Sequence, residues 1–196
     1  MADRYAVDSG YTVDAYFRLV HDGVLREDDR VELLDGVIVA EPPMDPPHAS
    51  GIAMVGDALR QAIGARAAVR IQSPFIAGTH SVPEPDVALV AGQSADYADH
   101  HPDSAFLVAE VSASSLPQDR LSKSRIYAGA DIPEYWIINL RDDRLEVFRA
   151  PDPVRRAYGE RQIAQRGERM SLVVFPGVSV AVDELLPPRI APSLIG

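Results

Sequence analysis

The chain has 196 residues and a formal net charge of -10, with 46% hydrophobic and 24% charged residues. This length suits a single domain around one core, and the composition argues against a disordered chain. Cysteine is absent, which removes disulfides, thiolate zinc sites and cysteine nucleophiles. The acidic balance counts against a protein that coats nucleic acid by neutralising phosphates. It counts less against a nuclease, whose site carboxylates are neutralised by metal. With no basic-plus-apolar leader and no apolar run of about 18 residues, the sequence predicts a cytoplasmic protein without a membrane partner.

Thr12 is placed to cap a first helix, Val13 to Val20. Arg30 to Leu34 and Val37 to Ala40 flank Asp35-Gly36, the dipeptide of a type I′ hairpin turn, which needs φ > 0 at both central residues. Glu41 to Pro47 is a proline-rich loop. A helix over His48 to Ile63 carries Ile52, Val55, Leu59 and Ile63 on one stripe. Strands follow at Ala68 to Gln72, Pro85 to Val90 and Phe106 to Val111, the last two apolar enough to be buried on both faces. Pro117 to Gly129 reads as a helix with Leu121, Ile126 and Tyr127 on its apolar stripe. A second hairpin pairs Glu134 to Leu140 with Arg144 to Arg149 across Arg141-Asp142-Asp143, with Tyr135 and Trp136 in the core. Weaker strands lie near Gln162, at Leu172 to Phe175 and at Val178 to Val182. A proline-rich, poorly ordered tail starts at Leu186. The fold class is mixed α/β, a mixed sheet flanked by helices.

Two carboxylates interrupt the apolar strands. Asp86 opens one and Glu110 sits near the end of the next. A carboxylate in such a strand is expensive unless a partner or a metal compensates it. Two on successive strands can converge on one hard cation such as Mg²⁺. Glu32 lies on the first hairpin. Eighteen of the nineteen basic residues are arginine, so the single lysine, Lys123, stands out. A compact ammonium there would orient water or neutralise a phosphate. Taken singly, each residue has a plainer reading: Asp86 as a polar strand end, Glu110 as a partner of Arg120, Glu32 and Lys123 as solvent-facing positions. The combination carries the case. Adjacent His100 and His101 lack metal-ligand spacing, and no Gly-x-Ser-x-Gly elbow or phosphate-binding glycine loop is present.

The ordered segments "VELLDGVIV", "PPH", "EPDVALV", "FLVAEVSASS", "K…Y…DIPEYWIINL" and "LEVFR" resemble the Uma-two family of the PD-(D/E)XK nuclease superfamily, from about Tyr11 to Leu185. The resemblance implies a restriction-endonuclease-like core in one domain over 1–196 (core about 11–185, tail 186–196) and a Mg²⁺- or Mn²⁺-dependent nuclease site. Carried over by position, Glu32, Asp86 and Glu110 match the motif carboxylates. The superfamily lysine belongs two residues after the glutamate, where this chain has Ser112. Lys123 matches the family's displaced lysine. His48 matches a histidine at the start of the second helix and is an accessory candidate.

The expected activity is endonucleolytic hydrolysis of phosphodiester bonds. Asp86 and Glu110 would bind the metal directly, Glu32 through water or as a third ligand, and Lys123 would position water or stabilise charge. Nucleic acid, DNA before RNA, is the expected partner, and a homodimer is expected by restriction-enzyme analogy. The alternative is a nuclease fold kept as a binding or assembly module, which would not need a divalent ion.

Overall fold

The computed structural model describes residues 10–26 and 28–189. Six strands form the central sheet in the order β3-β4-β5-β6-β7-β8: β3 (Ala68–Ile71), β4 (Val87–Val90), β5 (Leu107–Ser112), β6 (Glu134–Asn139), β7 (Arg144–Asp152) and β8 (Ala157–Gln165). The β5–β6 pair is parallel and its neighbours are antiparallel. A parallel pair needs a crossover, and the segment between these two strands supplies the helical elements that carry Lys123.

Both sheet faces are covered, which explains the unbroken apolar runs of the central strands. Helix α2 (Pro46–Ile63) lays Ile52, Val55, Leu59 and Ile63 on one face, against Leu89, Leu107, Val111 and Trp136. The opposite face packs Leu116, Ile126 and Tyr127 against Val108, Tyr135 and Ile137. Helix α1 (Val13–His21), capped by Thr12, lies with the hairpin β1 (Val31–Leu34) and β2 (Val37–Ala40). Asp35 and Gly36 have φ of 48° and 81°, as the hairpin reading requires. An isolated bridge from Leu33 to Val82 ties this hairpin to the segment leading into β4.

Three expectations are corrected. The helix expected over Pro117 to Gly129 is α3 (Leu116–Gln118), a π-helical turn (Asp119–Lys123) and α4 (Ser124–Gly129). The amide of Ser124 reaches back five residues to the Asp119 carbonyl. The strand expected at Leu172 to Phe175 is a bend leading into the Pro176-Gly177 turn. The paired strands on either side of it are β9 (Arg169–Ser171) and β10 (Ser179–Ala181), antiparallel to each other. The expected tail is packed at its start: Leu186 is buried, and Arg166 donates to the Pro187 carbonyl at 2.6 Å. Residues 190–196 lie outside the described residues.

Candidate active site

Asp86 immediately precedes β4, and Glu110 lies in the antiparallel neighbour β5. Glu32 comes from β1, His48 from the first turns of α2, and Lys123 from the end of the π-helical turn. All five line one cleft, together with Asp119. Its water-accessible space is about 90 Å³, room for several waters or a hydrated ion. The approach of α2 depends on Gly51, one turn after His48. A β-carbon there would stand 2.8 Å from a Val111 methyl, so a larger residue would push the helix and His48 away from β5.

Lys123 Nζ sits 3.0 Å from Glu32 Oε1 and 3.0 Å from Glu110 Oε1. Glu32 Oε1 also accepts the Glu84 amide at 2.6 Å, and Glu110 Oε1 accepts the Tyr127 hydroxyl at 2.6 Å. Asp86 Oδ2 accepts the Val111 amide at 2.8 Å. The other contacts are looser: Asp86 N to Glu110 Oε2 at 3.4 Å, and His48 Nε2 to Asp86 at 3.3 and 3.5 Å. Asp86 and Glu110 thus each have one oxygen held tightly and one held loosely.

Charge in the cleft is unbalanced. Burial pushes the Glu110 carboxyl well above the usual carboxylate range. Lys123 opposes that rise, and Asp86, Asp119 and Glu32 add to it. Burial also raises Glu32 and Asp119, again against the pull of Lys123. Burial disfavours the Lys123 ammonium, yet Glu110, Glu32, Asp119 and Asp86 together hold it well above its ordinary value, so it stays charged. The hydrogen bond from His48 to Asp86 raises the imidazole, against the effect of its burial. Glu84, whose amide Glu32 accepts, is pushed up to about 7 by burial and by Glu41 and Glu32.

The model of the family Uma2, described as "Putative restriction endonuclease", matches residues 13–183. The chain belongs to the Uma2 family. Among solved structures, an Anabaena variabilis ATCC 29413 protein titled a "putative nuclease belonging to DUF820" superposes with a TM-score of 0.70. The match covers 89% of this chain and 97% of that one at 15% identity, so it speaks to the fold alone. No curated protein matches. Among the described residues, no helix is long and apolar enough to cross a membrane.

This Uma2 chain brings all five candidate residues into one cleft. Among the described residues, no group of three or more His, Asp or Glu side chains stands ready to hold a metal ion. The Lys123 ammonium lies between Glu32 and Glu110 and forms a salt bridge with each. Arg120 does not pair with Glu110 but with Glu146. Sequence reasoning missed two cleft groups. Asp119 is buried and accepts a hydrogen bond from Ser115 at 2.7 Å, and Ser115 is in turn 3.3 Å from Ser112. Tyr127, taken as a core aromatic, also orients Glu110. The spacing of Asp119 four residues before Lys123 was the available signal.

Proposed function

We propose that this chain is a divalent-metal-dependent endonuclease hydrolysing phosphodiester bonds of nucleic acid, DNA before RNA. The observation that carries this reading is the carboxylate surplus around Glu110. Asp86, Glu110, Glu32 and Asp119 share one cleft with a single lysine. The donor set fits Mg²⁺ or Mn²⁺: hard carboxylate oxygens, with Asp86 Oδ1 and Glu110 Oε2 only loosely engaged. Two carboxylates leave most of an octahedron to water, which Mg²⁺ gives up reluctantly. A bound divalent ion would supply Lewis-acid polarisation of the phosphoryl oxygen.

The protein's own groups have separate tasks. Tyr127 fixes one oxygen of Glu110, and the Val111 amide fixes one of Asp86, so the second oxygen of each is the one left for a ligand. Glu32 acts as a clamp on Lys123 and not as a ligand. The Lys123 ammonium then offers fixed positive charge to the oxygens around the pentacoordinate phosphorus, where negative charge accumulates. His48 is within reach of Asp86 and can hold its carboxylate in place or exchange a proton with a water beside it.

One observation favours the binding-module reading: Lys123 partly neutralises Glu32 and Glu110 by itself. Plasmid and single-stranded DNA incubated with Mg²⁺ or Mn²⁺ separate the two. The nuclease reading expects cleavage that is lost in EDTA and in Asp86→Asn and Glu110→Gln, with unchanged circular dichroism. Cleavage that survives both substitutions, or none by the wild type with either ion, contradicts it.

A further inference from the structure

A second cavity, of about 520 Å³, adjoins the cleft and shares Arg30, Glu41, Met44 and Gln72 with it as a common wall. Its far side holds Phe17 and His101, whose rings stack with centroids 5.5 Å apart and planes 14° from parallel. Burial, with Arg70 and His100 nearby, pushes the His101 imidazole below its ordinary value, so the ring is uncharged at neutral pH. Its Nδ1 is buried with no hydrogen-bond partner, a condition it shares among the described side chains with Arg70 Nε, and most buried polar atoms in proteins are paired. On the shared wall, Arg30 and Gln72 have φ of 31° and 40°. Non-glycine residues adopt this left-handed region at a cost that surrounding structure must offset. The Gln72 side-chain amide donates once, to the Met44 sulfur at 3.3 Å, which leaves its second N–H and its carbonyl oxygen available to a ligand.

We infer that this cavity is a nucleobase subsite, taking one unpaired base of the nucleotide beside the scissile phosphate. The inference rests on the nuclease reading and adds to it how the strand is held. A flat base extends the Phe17–His101 stack, Gln72 reaches its hydrogen-bonding edge, and Arg30, at the boundary, meets the connecting phosphate. Stacking accepts any base, so this subsite holds substrate without dictating sequence. A base inside a duplex cannot enter unless it is flipped, so the cavity selects single-stranded or locally opened substrate.

Fluorescence anisotropy with a short single-stranded DNA, and with an abasic strand of equal phosphate count, tests this in EDTA at low salt. We expect the abasic strand to bind about tenfold more weakly, on the scale of losing one stacked base. His101→Ala and Gln72→Ala should shrink that difference while leaving the salt dependence from phosphate contacts intact. Phe17 packs against the core, so Phe17→Leu is read only alongside its melting temperature. Equal affinity for the two strands, or an undiminished difference in both His101→Ala and Gln72→Ala, overturns the subsite. If equal affinity accompanies metal-dependent cleavage, the subsite alone fails. If neither strand binds and neither DNA form is cut, the nuclease reading falls with it.

Discussion

Glu110 on β5 and Glu146 on β7 flank Ile137 in one rung of the sheet, both buried, yet their surroundings carry opposite charge. Glu146 is met by Arg120, Arg144 and Arg161, with Asn139 donating at 2.8 Å. Burial alone would raise its pKa, but these hydrogen bonds hold it at about 2. Glu110 is met by further carboxylates and one lysine, and is pushed the other way. One helical segment serves both: the π-helical turn sends Arg120 to Glu146 and Lys123 to Glu110. The first cluster is complete without a ligand and fixes the segment to the sheet. The second is left with surplus negative charge, which a structural ion pair would not need.

The largest expected effect breaks the comparison at its cations. Lys123→Met should cost about 3–5 kcal/mol, because it strands Glu32 and Glu110 in the interior. Arg161→Met should cost about 1 kcal/mol or less, since Arg161 is 47% exposed and Glu146 keeps its other partners. Urea denaturation of the two variants measures both. Equal losses would mean that the clusters are alike.

Metal sharpens the contrast. Mg²⁺ at about a hundred times its dissociation constant should stabilise the wild type by about 2.7 kcal/mol. Thermal melts should show this gain vanish in Asp86→Asn and persist in Glu146→Gln. A gain that survives in Asp86→Asn would remove Asp86 as a ligand.

Tyr127→Phe deletes the hydroxyl that orients Glu110 and nothing else of size. It should cost about 1.5 kcal/mol, the low end for a hydrogen bond to a charged group. Cleavage should fall while the far-ultraviolet spectrum stays unchanged. Full activity in this variant would show that the orientation of Glu110 does not matter.

Much of this was legible in the residues. Asp35-Gly36 announced its hairpin, and the apolar runs around Asp86 and Glu110 announced adjacent buried strands. The π-helical turn was not legible, because apolar spacing does not count backbone hydrogen bonds. A π-turn takes more residues per turn, so the helical stripe is put out of phase there. Leu121, read as part of that stripe, is therefore 67% exposed while Ile126 and Tyr127 are buried. The pairing of Lys123 with Glu32 was not legible for a related reason. Sequence order places Glu32 near the site, but only the helix path decides that Lys123 lands between Glu32 and Glu110. Asp119 was overlooked because an aspartate in a helical pattern usually faces solvent, and burial comes from the packing of its turn.

The remaining effect is on acid stability. The folded pKa of Glu146, about 2, lies below its ordinary value of 4.5. Its contribution is therefore complete above pH 4.5 and is lost as pH falls toward 2. Glu146→Gln should be less stable at neutral pH and should lose less between pH 4.5 and 2 than the wild type does. Parallel curves in denaturant titrations across that window would contradict the assignment.

Calorimetric titration of Mn²⁺ into the wild type and into Glu110→Gln tests the central claim most directly, that the negative surplus at Glu110 serves a divalent cation. The expected result is saturable binding by the wild type that is lost in Glu110→Gln, with Glu146→Gln binding as the wild type does. No binding at millimolar Mn²⁺, or equal binding in Glu110→Gln, would contradict it.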